Sequence, residues 1–118
     1  MSKGRKITGW VIAGLITAML LFSATGKFMM PEMADNFAKW GLAEWITIIA
    51  IGEIISAILF IIPKTNLLGA FLLSAHMGGA VVTHMSNGEP FIVQSVILVL
   101  VWTAAFIRNP ELLARLKD

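Results

Sequence analysis

Charge is almost absent between Ile7 and Ile107. The ionisable residues found there gather mostly in short gaps, leaving four apolar stretches of membrane-spanning length. Ile7 to Gly26 is uncharged and ends at Lys27. Leu42 to Ile62 holds only Glu44, near one end, and Glu53, near the middle. Leu67 to Met85 carries His76 and His84, and Phe91 to Ile107 runs up to Arg108. A bilayer core of about 30 Å takes about 20 helical residues, fewer when flanking side chains reach the headgroups. Three stretches meet that length, and the fourth meets it with help from Arg108. One such run could be a buried helix of a soluble domain. Four in succession could not, because a 118-residue chain with 58% hydrophobic and 14% charged residues has more apolar surface than a soluble domain of that size can hide. The sequence therefore predicts an all-α membrane protein, a single domain over residues 1–118. Its expected form is a four-helix up-and-down bundle with spans at about 7–26, 42–62, 67–85 and 91–107.

Lys3, Arg5 and Lys6 followed by an apolar run and Ser23-Ala24-Thr25-Gly26 could also be a cleaved signal sequence, but the run is longer than a usual signal core and is read as a retained helix. Lys3, Arg5, Lys6, Lys64, Arg108, Arg115 and Lys117 fall on one side of such a bundle, against Lys27 and Lys39 on the other. The positive-inside rule then places both termini in the cytoplasm, as for a multi-pass protein of the inner (cytoplasmic) membrane. Pro63-Lys64-Thr65-Asn66 and Asn87-Gly88-Glu89-Pro90 read as tight turns. Only the first outer loop, Phe28 to Gly41, has room for structure: Pro31 suits a first helical turn, and Met33, Phe37 and Trp40 share one face. That short helix is expected to lie at the outer interface or to cap the bundle mouth. A second amphipathic segment, Glu111 to Lys117, follows Asn109-Pro110. Trp10, Trp40, Trp45 and Trp102 lie near span ends, where interfacial anchors are usual.

No cysteine is present, which removes disulfides, thiol redox catalysis and thiolate metal sites. No basic cluster with interleaved aromatics suggests nucleic acid, and no metal-ligand motif, phosphate loop or nucleophile elbow is apparent. Chemistry must then reside in polar residues at membrane depth. Glu53 lies about 16 Å below the outer boundary at about 1.5 Å per residue, and a carboxylate there is costly unless paired, protonated or wet. His76 reaches a similar depth on the neighbouring span, on a face with Gly69, Gly79, Ala80 and Thr83. That small-residue stripe would let the helices approach and bring His76 to Glu53. His84, Lys27, Glu44 and Gln94 are expected to form a shallower layer. There Lys27 is read as snorkelling outward, with an ion pair to Glu44 or a bend toward Glu53 as alternatives. Haem is disfavoured, since one helix cannot supply both axial ligands from His76 and His84 and no other histidine exists.

Thr25-Gly26-Lys27-Phe28, Ile51-Gly52-Glu53-Ile54, Ile62-Pro63-Lys64-Thr65 with Leu68-Gly69-Ala70, Met77-Gly78-Gly79-Ala80-Val81-Val82-Thr83-His84, and Trp102 with Ile107-Arg108-Asn109-Pro110 together resemble the DoxX-like membrane proteins. The resemblance implies a compact four-helix bundle with polar residues at Lys27, Glu53 and His84. His76 lies outside the pattern. Relatives include subunits of a quinone-linked thiosulfate-oxidising system and a receptor-assembly chaperone, so one bundle serves several tasks. Two function classes follow. One is a redox- or quinone-associated membrane component whose pocket holds Glu53 with His76 or His84. The other is a non-catalytic interaction or assembly protein. A small multidrug transporter is a weaker third, because dual-topology exporters need little Lys/Arg bias. Quinone stays open as a ligand, and other membrane redox or assembly proteins and a homo-oligomer stay open as partners.

Overall fold

The computed structural model describes residues 1–117, which form six α-helices and no strand among them. They are α1 (Lys3–Met29), α2 (Pro31–Lys39), α3 (Ile46–Ile61), α4 (Asn66–Ser86), α5 (Ile92–Arg108) and α6 (Glu111–Lys117). Single 3₁₀ turns, Ala43–Trp45 and Pro63–Thr65, lead into α3 and α4. Ser2 caps α1 by accepting from the Arg5 amide, and Pro31 starts α2 where a missing N–H costs nothing. Gly41 and Gly88 take positive φ, 76° and 66°, at the chain reversals that follow α2 and α4.

Lys3–Met29, Ala43–Ile61 and Pro63–Ser86 are long and apolar enough to cross a membrane. Ile92–Arg108, at 17 residues, falls just short by length alone. The four long helices pack in a ring: α1 touches α3 and α5, and α4 touches α3 and α5. Inside the ring many small residues pack beside a few large ones, Phe60 and Leu73 among them, while many large apolar residues face outward. Ala13, Ala24, Ala50, Ala57, Ala70, Ala104 and Ala105 are wholly buried, whereas Phe22, Ile48, Phe71 and Val99 stand more than half exposed. A water-soluble protein would not leave so many large apolar side chains outward, but lipid is as apolar as they are, and small residues let helix backbones close up. The closest approach is at Gly69, where an added Cβ would run into the backbone of Phe60 and Leu59 on α3.

The end of the ring that carries both termini is sealed by side chains that satisfy helix carbonyls left without partners. Arg5 donates to Phe106 O and Ile107 O at the end of α5, both at 2.9 Å. Arg108 donates to Phe60 O and Ile61 O at the end of α3, at 2.7 and 2.8 Å, and stacks on Trp10 with 5.0 Å to the ring centroid. Asn66 and Asn109, both buried, exchange amide hydrogen bonds beside them.

Two sequence expectations need correcting here. Arg108 does not reach toward headgroups, because the open carbonyls of α3 lie closer and bind its planar fork with two bonds. Trp10 and Trp45 face outward, but Trp102 donates its indole N–H to Ser74 Oγ at 2.6 Å and Trp40 turns inward to donate to Glu89, since each indole finds a side-chain acceptor.

Candidate functional site

At the opposite end the ring does not close, and a cavity of about 640 Å³ opens between α1, α3, α4 and α5 beneath α2. The helix predicted in the first loop is present and acts as the cap: Phe37 is buried, and Met33, Asn36 and Trp40 form part of the cavity wall. The chain reverses into α3 immediately afterward, so α2 is tethered at both ends over the opening.

The cavity floor is an ion pair with a histidine beside it. Lys27, on the last turn of α1, bends down rather than out, and its Nζ lies 2.7 Å from Glu53 Oε1 and 3.0 Å from Ser23 Oγ. The other carboxylate oxygen, Glu53 Oε2, lies 3.2 Å from His76 Nε2. The Lys27 and Glu53 side chains are only 8% and 2% exposed, and that of His76 18%. Depth and face point correctly to the meeting of Glu53 and His76. The outward path expected for Lys27 is corrected. Phe37 closes the space above it, with the ammonium 5.9 Å from the ring centroid, and the carboxylate supplies the charge compensation that water would otherwise give.

The upper wall is a second polar group. His84 Nδ1 donates to Ala80 O at 2.8 Å, and its Nε2 faces the amide of Gln94 at 3.5 Å and Glu89 Oε1 at 4.0 Å. Gln94 Oε1 is buried and no donor among the described residues reaches it. Trp40 packs on His84 with ring centroids 5.0 Å apart and donates to Glu89 Oε1 at 3.0 Å, while Lys39 donates to Glu89 Oε2 at 3.0 Å. The Lys39 ammonium, aided by the Trp40 N–H and opposed by partial burial, holds the Glu89 carboxyl below the ordinary carboxylate range. Glu89 thus latches α2 to the α4–α5 turn.

The shallow layer expected from sequence is therefore rearranged. His84 and Gln94 form it, Lys27 belongs to the floor, and Glu44 is exposed on its 3₁₀ turn, away from the cavity lining. Glu89 takes the acidic place there. Its signal is an acid in a tight turn directly after the span carrying His84, facing a loop helix that ends in Lys39-Trp40.

The small-residue stripe divides as well. Gly69 makes the close approach to α3, but an added Cβ on Gly79 meets nothing within 4 Å. Gly79, Ala80 and Thr83 border the cavity.

Among the described residues no group of three or more His, Asp or Glu is placed to hold a metal ion. What the arrangement offers is an apolar chamber with a paired charge at its floor and hydrogen-bonding groups on its wall, in the size range of small-molecule sites. A family model described as the DoxX-like family matches residues 11–106. Comparison with curated proteins and with solved structures gives no match.

Proposed function

The chain belongs to the DoxX-like family, and on that premise we propose that it is a small redox-associated component of the cytoplasmic membrane that holds a quinone headgroup in the cavity beneath α2. The observation that carries this reading is Glu53 at the cavity floor, with one oxygen on Lys27 and the other beside His76. A buried ionic group of this kind gives little net stability over apolar packing, so its presence at membrane depth points to a ligand. The Lys27 ammonium has three N–H donors, of which Ser23 and Glu53 take two, leaving one for a quinone carbonyl. Phe37 and Trp40 offer aromatic faces above, and Ile49 and Ile97 an apolar wall for the ring and the start of a prenyl tail.

Native mass spectrometry of the protein released from ubiquinone-containing membranes in mild detergent tests this reading. The parent should retain quinone. Gly79→Phe, which adds a ring on the cavity border where an added Cβ meets nothing within 4 Å and replaces no charged residue, should lower the retained fraction at least tenfold while leaving the protein folded. A parent without quinone, or equal retention by both, would refute the reading. A co-purifying membrane protein in place of quinone would favour the assembly alternative.

The proposal includes four membrane crossings, the 17-residue α5 completing the fourth with Arg108 at its end, and both termini in the cytoplasm. The distribution of Lys and Arg supports this orientation. Because the chain has no native cysteine, single cysteines report on it directly. Ser86→Cys should react with an impermeant thiol reagent from outside and Lys64→Cys should not. The reverse pattern, or equal labelling, would overturn the orientation.

A further inference from the structure

Of the two histidines in the cavity, only one has an uncommitted ring nitrogen. His84 is held at both: Nδ1 faces Ala80 O and Nε2 faces Gln94. At His76 one ring nitrogen is within ion-pair distance of a carboxylate. That nitrogen, Nε2, lies 3.2 Å from Glu53 Oε2, whereas no hydrogen bond among the described residues engages Nδ1. A neutral imidazole carries one proton, and beside a carboxylate that proton belongs on the nitrogen that faces it. Nδ1 is then a lone pair on a ring that lines the cavity. A carboxylate behind an imidazole orients the ring and stabilises the imidazolium formed when the far nitrogen takes a proton. Lys27, on the other oxygen of the same carboxylate, brings a positive charge and a spare N–H to the same floor, suited to an oxygen that becomes negative.

We propose that His76 is the proton-exchanging residue of the cavity: its Nδ1 takes the proton from a weakly acidic hydroxyl on an aromatic ring, such as that of a quinol, while Lys27 stabilises the resulting oxyanion and Glu53 positions the imidazole. The step is a proton transfer alone. The ligand O–H bond breaks, an Nδ1–H bond forms, the oxygen keeps the electron pair, and no oxidant takes part. In reverse, the imidazolium returns the proton to the anionic oxygen. The titratable groups around His76 are Lys27 from α1, Glu53 from α3 and His84 from its own helix; the parts of α2 and α5 that line the cavity add none. The inference rests on the quinone reading for its natural ligand, but it is tested with a different molecule.

That molecule is 4-nitrophenol, whose anion is coloured. With the purified full-length protein in detergent, the bound probe should ionise about one pH unit or more below the probe in empty micelles of the same detergent. His76→Gln, which keeps an N–H for Glu53 but supplies no comparable base, should bind the probe and reduce that shift, with Lys27 alone favouring the anion. Nitrogen NMR of the parent gives an independent reading: probe binding should move His76 Nδ1 from an unprotonated to a protonated position. An unshifted or unbound probe in the parent, a full shift in His76→Gln, or a His76 Nδ1 signal that does not respond would each overturn the proposal. Quinone retention is measured separately. A parent that keeps quinone but does not ionise the phenol refutes the role of His76 alone, and the converse refutes only the quinone reading.

Discussion

Glu53→Ala should destabilise the protein by about 3–5 kcal/mol, because it leaves the Lys27 ammonium buried without its counter-charge. Lys27 cannot simply turn to solvent, since its side chain is 8% exposed and Phe37 sits above it. Ser23 can accept one hydrogen bond but carries no charge. Glu53→Gln removes the same charge and should lose stability in the same direction. An isolated carboxyl would have tolerated that amide, and the ion pair is what changes the outcome. The decisive comparison is the double variant Lys27→Met with Glu53→Leu. Removing both charges and filling the space with apolar groups should recover most of the thermal stability, since the desolvation cost of the pair roughly cancels its attraction. The recovered protein should nevertheless fail to retain quinone. Melting in detergent and native mass spectrometry read these two properties separately. A Glu53→Ala protein that melts with the parent would show that the ion pair does not form in the membrane, and a double variant that still holds quinone would remove the ionic group from the site.

The partners of Glu53 differ in how far the sequence alone reveals them. Helical rise and periodicity convert residue number into depth and face, which puts Glu53 and His76 at one level on facing sides. They lie 3.2 Å apart. The family pattern, matched over residues 11–106, and the apolar runs are equally legible. Lys27 is not, because a lysine on the last turn of a span goes up or down according to what lies above it. That depends on α2 folding back over the opening with Phe37 buried. Glu89 is legible only as an acid in a tight turn; its pairing is not, since Lys39 and Trp40 are about fifty positions away and meet it only once α2 is docked. The carbonyl contacts of Arg5 and Arg108 also depend on long-range placement, and basic residues at span ends carry a ready snorkelling explanation that hides them.

Gly69 and Gly79 mark the limit of the helical wheel, and their opposite substitution effects are the second large prediction. On a wheel they share a face with Ala80 and Thr83 and look like one interface. Along α4 they lie at different heights, and the wheel does not say where α3 stays close. At Gly69 the backbones touch, so the Cβ of Gly69→Ala would collide with the Phe60 main chain, which cannot yield as a flexible side-chain tip can. Overpacking of this kind costs about 1–3 kcal/mol, and here it acts on the turn of α3 whose carbonyls Arg108 holds, so the upper end of that range is expected. At Gly79 nothing lies within 4 Å, so Gly79→Ala should be neutral or stabilise by up to about 1 kcal/mol through helix propensity. Paired thermal melts of the two alanine variants in one detergent check this. Equal losses would mean that the stripe is a continuous interface and that the ring closes over the space assigned to the cavity. A harmless Gly69→Ala would mean that α3 and α4 stand further apart than they do here. Gly69 lies against α3 and Gly79 on the cavity border, so the two glycines report on whether the site exists as well as on how the helices pack.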